Sequence, residues 1–386
     1  MRRSLNLVFL GLSLSSSWGN GHATTYRALL RGLAERGHRL SFLERDVPWY
    51  AQSRDLPKPD YCALTFYHDL DDLRLRCGNT IGAADAVIVG SYVPEGIAVV
   101  DYVNTIASGL RGFYDIDTPV TVAALEQDRC PYLAARQVSE FDLYFSFTGG
   151  PLLNDLRGRF GARRPRALYC AVDATLYRPE DLPLVWDLGY LGTYASDRQP
   201  ALERLLLEPA RRLPERRFVV AGPQYPDDVA WPANVERIDH LPPEKHAAFY
   251  RAQRFTLNIT RADMIRTGWS PSVRLFEAAA CGTPIISDRW TGLNELLPDG
   301  DAILIADNSD DVVQALSGVD AAKRVRIGAT ARDIVLAQHT GAARARELEQ
   351  QLRHCMEQAS VPFLRPSEQC DTMTAHDRTR FKAQKA

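Results

Sequence analysis

The sequence has almost no net charge. It carries 46 lysine and arginine residues against 48 aspartate and glutamate residues, so the formal net charge is −2. Such a balance gives no overall field that would attract nucleic acid or an acidic membrane. Two arginine-rich stretches, 157–166 and 211–217, stand among acidic residues without interleaved aromatic residues, which is typical of solvated helix ends. Nucleic acid is therefore not an expected partner, and membrane contact is expected to be peripheral at most.

Paired cysteines are also missing. The seven cysteines are scattered along 386 residues without any C-x-x-C pair. An odd number of widely spaced cysteines is typical of free thiols in a reducing compartment, and the spacing argues against a zinc site. We therefore expect a cytoplasmic protein that binds no metal and no cofactor.

Long apolar runs are absent as well. No run approaches the roughly 18 residues that a membrane-spanning helix needs. A shorter run, 5–14, follows two arginines as in a signal peptide, but Asn6 and Ser13 interrupt it and no small-residue cleavage site follows. We interpret this run as a first buried strand.

Short apolar runs alternate with helical patterns over most of the chain. Examples are 86–90 and 112–116 in the first half, and 188–192 and 255–259 in the second. Strands that alternate with helices predict an α/β fold with parallel sheets covered on both faces. Because the alternation occurs in two series, we predict two Rossmann-like domains.

The domain boundary is predicted in a stretch rich in proline and charge, 177–183. The first domain would then span 1–178 and the second 179–340. A helical pattern rich in Arg, Glu and Gln follows over 341–358. The polar segment 359–386 is expected to be a poorly ordered tail.

The segment 270–288 carries the clearest functional signal. Ser270 is a candidate N-cap and Pro271 fits the first helical position, which leaves the N–H groups of Ser272 and Val273 unpaired at the positive end of a helix. Such an end attracts anions, above all phosphate. Arg274 adds a positive charge, and a carboxylate three residues later shares its face. This combination suits a nucleoside-diphosphate sugar.

That carboxylate, Glu277, opens a recognisable motif. The run 277–286, EAAACGTPII, resembles the pattern E-A-x-A-x-G-x-P-[VI]-[IV] of the GT-B glycosyltransferases of group 1 (family 4-like), and 270–274 is most similar to their spore-maturation (CgeB-like) branch. The segment 170–179 resembles the family's hinge. The resemblance implies two Rossmann-like domains around a central cleft, with the donor on the second domain and the acceptor mainly on the first. It also implies a C-terminal helix that crosses back to the first domain.

The resemblance implies further donor-binding residues in the second domain. The loop after its first strand carries Gly192, Thr193 and Arg198, where backbone N–H groups and a basic residue would face the diphosphate. Asn258 and Arg261 end the strand that precedes the donor helix and would reach the nucleotide or the sugar.

In the first domain, the loop between the first strand and the first helix resembles the family's glycine-rich loop. It contains Gly19, Asn20 and Gly21, and His22 opens the helix. The loop does not match G-x-G-x-x-G. At a helix N-terminus the charged form of a histidine is disfavoured, so we expect a neutral His22 that can hydrogen-bond or take a proton, or one that only caps the helix.

Asp115 and Asp117 stand at the carboxyl end of a predicted strand, the edge at which open α/β sheets bind ligands. Alternation along a strand would point both side chains into the cleft. Either residue is a candidate base for an acceptor hydroxyl, and a pair that caps the next helix is the alternative. The D-x-D spacing also resembles a manganese motif, but that motif belongs to a different glycosyltransferase architecture.

One position departs from the resembled family. The family carries E-x₇-E, and its second Glu, which binds the ribose hydroxyls, corresponds to Glu277. Trp269 stands where its first Glu, which contacts the transferred sugar, would be. The resemblance implies metal-independent transfer with retention, and Trp269 places retention in question. The acceptor would be a small molecule, a glycan or a lipid. Alternatives are a nucleotide-sugar epimerase, a non-catalytic nucleotide-sugar-binding protein, and an NAD(P)-dependent oxidoreductase, which the missing glycine fingerprint disfavours.

Overall fold

The computed structural model describes residues 3–18 and 21–360. The first sheet contains seven strands, β1 (Asn6–Gly11), β2 (Arg39–Arg45), β3 (Ala63–Tyr67), β4 (Ala86–Gly90), β5 (Leu110–Asp115), β6 (Leu143–Ser146) and β7 (Pro165–Ala167). The second contains six, β8 (Trp186–Leu191), β9 (Phe218–Ala221), β10 (Val235–Ile238), β11 (Gln253–Asn258), β12 (Ile285–Ser287) and β13 (Leu304–Ile305). The prediction of two parallel sheets is confirmed.

Helices connect the strands on both faces of each sheet. The first series is α1 (Gly21–Glu35), α2 (Pro48–Ala51), α3 (Leu70–Gly82), α4 (Gly96–Ile106), α5 (Thr118–Glu126) and α6 (Leu152–Phe160). The second is α7 (Gln199–Leu202), α8 (Glu208–Arg212), α9 (His246–Arg251), α10 (Ala262–Thr267), α11 (Val273–Ala280), α12 (Leu293–Leu296), α13 (Ser309–Gly318), α14 (Ala321–Gln338) and α15 (Gly341–Ser360). A π-helical turn, Glu203–Leu207, joins α7 to α8, and 3₁₀ turns occur at Ala135–Glu140 and Pro243–Lys245.

The strand order fixes where ligands can bind. The first sheet runs β3-β2-β1-β4-β5-β6-β7 and the second β10-β9-β8-β11-β12-β13, with every pair parallel. In each sheet the order reverses beside the first strand, between β1 and β4 and between β8 and β11. Such switch points open a crevice at the carboxyl ends of the strands. The predicted boundary near residue 178 lies in the segment between β7 and β8.

The C-terminal helix packs on the first helix of the chain. Leu348 and Leu352 on α15 are fully buried in the same cluster as Leu29 and Leu33 on α1. The two helices approach so closely that a Cβ on Gly341 would lie 2.0 Å from a carbonyl oxygen of α1. The chain thus returns to the first domain, as the resemblance implied.

Some sequence expectations lie outside the described residues. These are Gly19 and Asn20 of the glycine-rich loop, Cys370, and most of the predicted tail. Six cysteines within the described ranges, Cys62, Cys77, Cys130, Cys170, Cys281 and Cys355, are free thiols. Among the described helices, none is long and apolar enough to cross a membrane.

Candidate functional site

The donor helix α11 begins two residues later than the sequence predicts. Ser272 occupies the N-cap position and Val273 is the first helical residue. The expectation of an N-cap at Ser270 and a helical Pro271 was therefore wrong. Proline disfavours helical backbone in the residue before it, and the Ser270 hydroxyl is engaged elsewhere, donating to the Gly268 carbonyl at 2.8 Å. The N–H groups that lack an intrahelical partner consequently begin at Val273.

Three arginines lie close together near this helix end, at the crevice between β8 and β11. Burial lowers the pKa of Arg198, and the positive charges of Arg274 and Arg261 lower it further. Across the part of the chain that the structure describes, none of the three forms an ion pair with a carboxylate. Like charges held together without a direct ion pair are costly, so the arrangement favours an anionic ligand.

The arginines are held by hydrogen bonds to neutral groups. Arg198 donates to the Thr193 carbonyl at 2.6 Å, and its buried Nε has no partner among the described atoms. Arg274 donates to Asn258 Oδ1 at 3.2 Å, and its guanidinium lies 5.2 Å from the centre of the Tyr190 ring. These contacts fix the orientation of the guanidinium groups without a direct ion pair to a carboxylate.

Gly192 does not supply a free donor to this site. Its N–H donates to the Ala221 carbonyl at 2.8 Å, which corrects the expectation that it would face a phosphate. A Cβ on Gly192 would lie 2.5 Å from the Tyr190 hydroxyl. Glycine is therefore needed here for the close packing of the loop. Thr193, which follows it, is exposed to solvent.

Asn258 is a buried support for the donor helix. Its side-chain oxygen accepts from Ser272 Oγ at 3.1 Å as well as from Arg274. Its side-chain nitrogen donates to Thr260 Oγ1 at 3.2 Å and Ser287 Oγ at 2.9 Å. Because these bonds occupy both ends of the amide, Asn258 orients Arg274 and the N-cap residue.

Glu277 is not a solvated surface carboxylate. It is buried, and the Tyr250 hydroxyl donates to its Oε2 at 3.0 Å. Burial and the charge of Glu277 together raise the pKa of Tyr250 well above its usual value. Burial first, and then Glu277, likewise raises the pKa of Tyr177 in the hinge segment. The carboxylate therefore joins the donor helix to the segment that connects the two domains.

In the first domain, His22 has the neutral state expected from the sequence. Burial lowers its pKa to about 4. The sequence suggested that the helix end would disfavour the charged form, but burial is the main cause. Its buried Nδ1 has no hydrogen-bond partner among the described residues. The imidazole meets the Tyr92 ring edge-on at 5.5 Å between ring centres. Gly21, exposed at the start of α1, precedes it.

Asp117 lies at the junction of the two domains. The Tyr92 hydroxyl donates to its Oδ2 at 3.1 Å, and Tyr92 itself has left-handed backbone, with φ of 63°. Burial raises the pKa of Asp117, while Tyr92 and then Arg261 of the second domain lower it. The cluster His22, Tyr92 and Asp117 thus faces Arg261, one of the three arginines of the second domain. Tyr92 was not predicted from the sequence, in which its only signal is its place just after β4.

Asp115 does not reach the cleft, so the expectation that both aspartates face it was wrong. The chain leaves the strand at Asp115, and Asp117 has φ −142° and ψ 40°, which breaks the alternation. Asp115 is fully buried, and accepts from Tyr144 at 2.7 Å and from Thr121 at 2.7 Å. Burial raises its pKa to about 7.

A buried carboxylate holds the loop after β1 in place. Glu44 on β2 is fully buried and accepts hydrogen bonds from the N–H groups of Leu14 and Ser15, at 2.6 and 2.9 Å. The hydroxyls of Ser13 and Ser15 donate to it at 3.2 and 2.6 Å. This anchoring fixes the loop that leads to His22.

The structure holds no cluster of three metal-binding side chains within its described ranges. The candidate site therefore consists of arginines and a helix end in the second domain, and of His22, Tyr92 and Asp117 in the first.

Comparison with known proteins gives a family match over part of the chain. Residues 198–350 match a family model described as glycosyl transferase-like. No curated protein matches the chain in sequence. The finer resemblance to the spore-maturation branch stays a prediction.

Solved structures cover both domains. Sucrose-phosphate synthase from Thermosynechococcus elongatus aligns with a TM-score of 0.64 and 14% identity over 92% of this chain and 100% of its own. HepE from Anabaena, in complex with UDP and glucose, aligns with a TM-score of 0.68 and 12% identity over 91% of this chain and 100% of its own. An alpha-glucosyltransferase in complex with UDP and DNA aligns with a TM-score of 0.69 and 14% identity over 92% of this chain and 100% of its own. The chain therefore has the GT-B glycosyltransferase fold, and over residues 198–350 it is similar to the glycosyl transferase-like family.

Proposed function

We propose that the protein transfers a sugar from a nucleoside-diphosphate sugar to a hydroxyl group of an acceptor in the cytoplasm. The observation that carries the proposal is the group of three arginines without ion pairs beside the N-terminus of α11. We propose a uridine nucleotide as the donor because structures that share the fold are described with UDP or UDP-glucose. The acceptor is a small molecule, a glycan or a lipid.

The arginines would act on the leaving group. Transfer forms a bond between the acceptor oxygen and the anomeric carbon, and it breaks the bond from that carbon to the diphosphate. Arg198, Arg274 and the first N–H groups of α11 would stabilise the negative charge that develops on the departing diphosphate. Glu277 would hold the ribose end of the donor, as the resemblance implies.

The first domain would receive the acceptor proton. Asp117 is half-buried, and burial raises its pKa, which favours a carboxylate that can accept a proton near neutral pH. His22 is neutral because burial lowers its pKa to about 4, so it is available as a hydrogen-bond partner for the sugar or the acceptor. Closure of the two domains would exclude water and limit hydrolysis of the donor.

We propose transfer with retention and without a metal, as the resemblance implies. Trp269, in place of the family's first Glu, makes the anomeric configuration of the product the test of retention, by NMR. We propose no nucleic-acid acceptor, although one structural neighbour is described with DNA, because positive and negative charges are balanced in this chain.

A non-catalytic UDP-sugar-binding protein is the second candidate, and the missing Glu at Trp269 is what favours it. Turnover separates the two candidates. Release of UDP from UDP-glucose in the presence of an acceptor pool supports the transferase, whereas binding without any release supports the binding protein.

A thermal-shift panel of UDP, GDP, ADP, uridine and UDP-glucose tests the donor site. Wild type is compared with Arg274→Ala and Glu277→Ala, and with Arg346→Ala, an exposed arginine on α15, as the control. A ligand at 100 times its Kd stabilises the folded state by about 2.7 kcal/mol. We expect UDP to stabilise wild type and the control, and to stabilise both site variants much less. A folded wild type that no nucleotide stabilises would refute the proposal.

A further inference from the structure

Trp269 occupies a strained backbone position that is fixed from both domains. Its φ is 41°, in the left-handed region that residues other than glycine rarely adopt. Its N–H donates to the Thr291 carbonyl of the second domain at 2.7 Å. Its carbonyl accepts from the N–H of Gly149 in the first domain at 2.9 Å. The two bonds hold this residue between the domains.

The indole ring lies in a slot that needs two glycines. A Cβ on Gly150 would lie 2.4 Å from the ring, and a Cβ on Gly292 would lie 2.5 Å from it. Gly150 belongs to the first domain and Gly292 to the second. The indole N–H donates to Glu295 Oε2 at 2.9 Å, which fixes the orientation of the ring in the slot.

The same contact extends to the start of the donor helix. Ser270, which follows Trp269, is fully buried, and its hydroxyl is hydrogen-bonded at 2.8 Å to Thr148 Oγ1, also fully buried, in the first domain. Ser272, the N-cap residue of α11, comes two residues further on. The first domain therefore contacts the short segment from which the donor helix begins.

We propose that Trp269 is a positioning residue that joins the first domain to the diphosphate-binding end of α11. The seated indole holds residues 268–272 and with them the free N–H groups and Arg274 in place for the diphosphate. A binding group that is already ordered loses less entropy when a ligand binds, so the contact raises affinity for the diphosphate. The inference rests on the proposed function, because one part of its test measures the binding of a nucleoside diphosphate. It assigns an interdomain role to a position where the resembled family has a sugar-binding Glu.

Trp186 is a matched control. Its indole N–H also donates to a glutamate, Glu236, at 2.8 Å. Trp186 is the first residue of β8, at the end of this strand opposite its carboxyl end. The variants are Trp269→Ala and Trp269→Phe beside Trp186→Ala and Trp186→Phe. Calorimetry measures the Kd for UDP and for uridine, and small-angle scattering measures the radius of gyration without ligand.

We expect Trp269→Ala to weaken UDP binding about tenfold and uridine binding less than twofold, because only the diphosphate contacts the end of α11. Its radius of gyration should exceed that of Trp186→Ala, because the domains lose their contact. Trp269→Phe keeps most of the ring in the slot and should lie between wild type and Trp269→Ala. Both Trp186 variants should match wild type in the UDP-to-uridine ratio.

Gly150→Ala tests the contact from the other domain. Its Cβ would displace the indole although Gly150 is on the first domain, so UDP affinity should fall. Because Gly150 has φ of 63°, alanine is strained there in either background. In a Trp269→Ala background only this strain remains, so Gly150→Ala should change UDP affinity less than it does in wild type. Equal effects of Gly150→Ala in both backgrounds would overturn the proposal.

Two results separate this inference from the proposed function. If wild type binds neither UDP nor uridine, the proposed donor site is refuted, and the radius of gyration alone decides whether Trp269 joins the domains. If wild type binds UDP but Trp269→Ala equals Trp186→Ala in both affinity ratio and radius, the positioning role is refuted while the donor site stands.

Discussion

Replacing Glu44 tests whether one buried carboxylate holds the loop that leads to His22. Glu44 accepts four hydrogen bonds from residues 13–15, two from backbone N–H groups and two from serine hydroxyls. Glu44→Gln keeps one oxygen for the two N–H groups and places an amide N–H₂ opposite the hydroxyls, which can rotate to accept. Glu44→Leu removes every acceptor and leaves two buried N–H groups unpaired.

The two substitutions should differ in size. A hydrogen bond to a charged group contributes about 1.5–3 kcal/mol, and each buried group left unpaired costs about 1–3 kcal/mol. Glu44→Gln loses the charge but retains acceptors, so we expect the local opening free energy to fall by about 2 kcal/mol. For Glu44→Leu, with two orphaned N–H groups, we expect about 4 kcal/mol.

Amide hydrogen exchange of peptides covering residues 13–18 measures this opening free energy directly. A loss of about 2 kcal/mol corresponds to roughly 30-fold faster exchange in Glu44→Gln. The control is Glu35→Gln, which changes an exposed carboxylate on α1 and should leave the loop unaffected. Exchange in Glu44→Leu at the rate of wild type would refute the reasoning, because the loop would then be held by other contacts.

Further predictions concern pH, exposure and helix packing. Burial raises the pKa of Asp115 to about 7, above its unfolded value, so its contribution to stability is complete below about pH 4 and is lost as pH rises through about 7. Urea unfolding of Asp115→Asn should lack this decline, which amounts to at most about 1.4 kcal/mol per pH unit. Trp18 and Trp49 are 54% and 55% exposed, so thermal melts of their alanine variants should give free energies of unfolding within about 0.5 kcal/mol of wild type. Gly341→Ala should destabilise by about 1–3 kcal/mol through overpacking, whereas Gly158→Ala, in open space on α6, should stabilise by about 0.5–1 kcal/mol, both by calorimetry.

The central strands were predictable because they are buried on both faces. The strand expected at 86–90 is β4, with every residue buried, and such a strand reads as a continuous apolar run. The edge strand β3 (Ala63–Tyr67) was missed, since only Tyr67 is buried and Thr65 interrupts the apolar pattern. Periodicity reports burial, so an edge strand that is half exposed gives a weak signal.

The parts of the site that failed prediction depend on contacts distant in the chain. The Ser270 hydroxyl meets Thr148, 122 positions earlier, and the N-cap moves to Ser272. Local rules for helix starts contain no information about such a partner. Asp115 and Asp117 could not be separated because the alternation rule assumes that the strand continues, and it ends at the first of them.

The crossing of α15 onto α1 has a consequence for synthesis on the ribosome. The first domain has an apolar surface on α1 that packs against α15 residues such as Leu348 and Leu352, and these residues are made after both domains. The segment between β8 and β13 is continuous in the chain and can close its own sheet beforehand. At 5–20 residues per second, translation from residue 178 to residue 355 takes roughly 10–35 s. During that interval the nascent first domain exposes an unfinished hydrophobic surface, which is the kind of surface that chaperones bind.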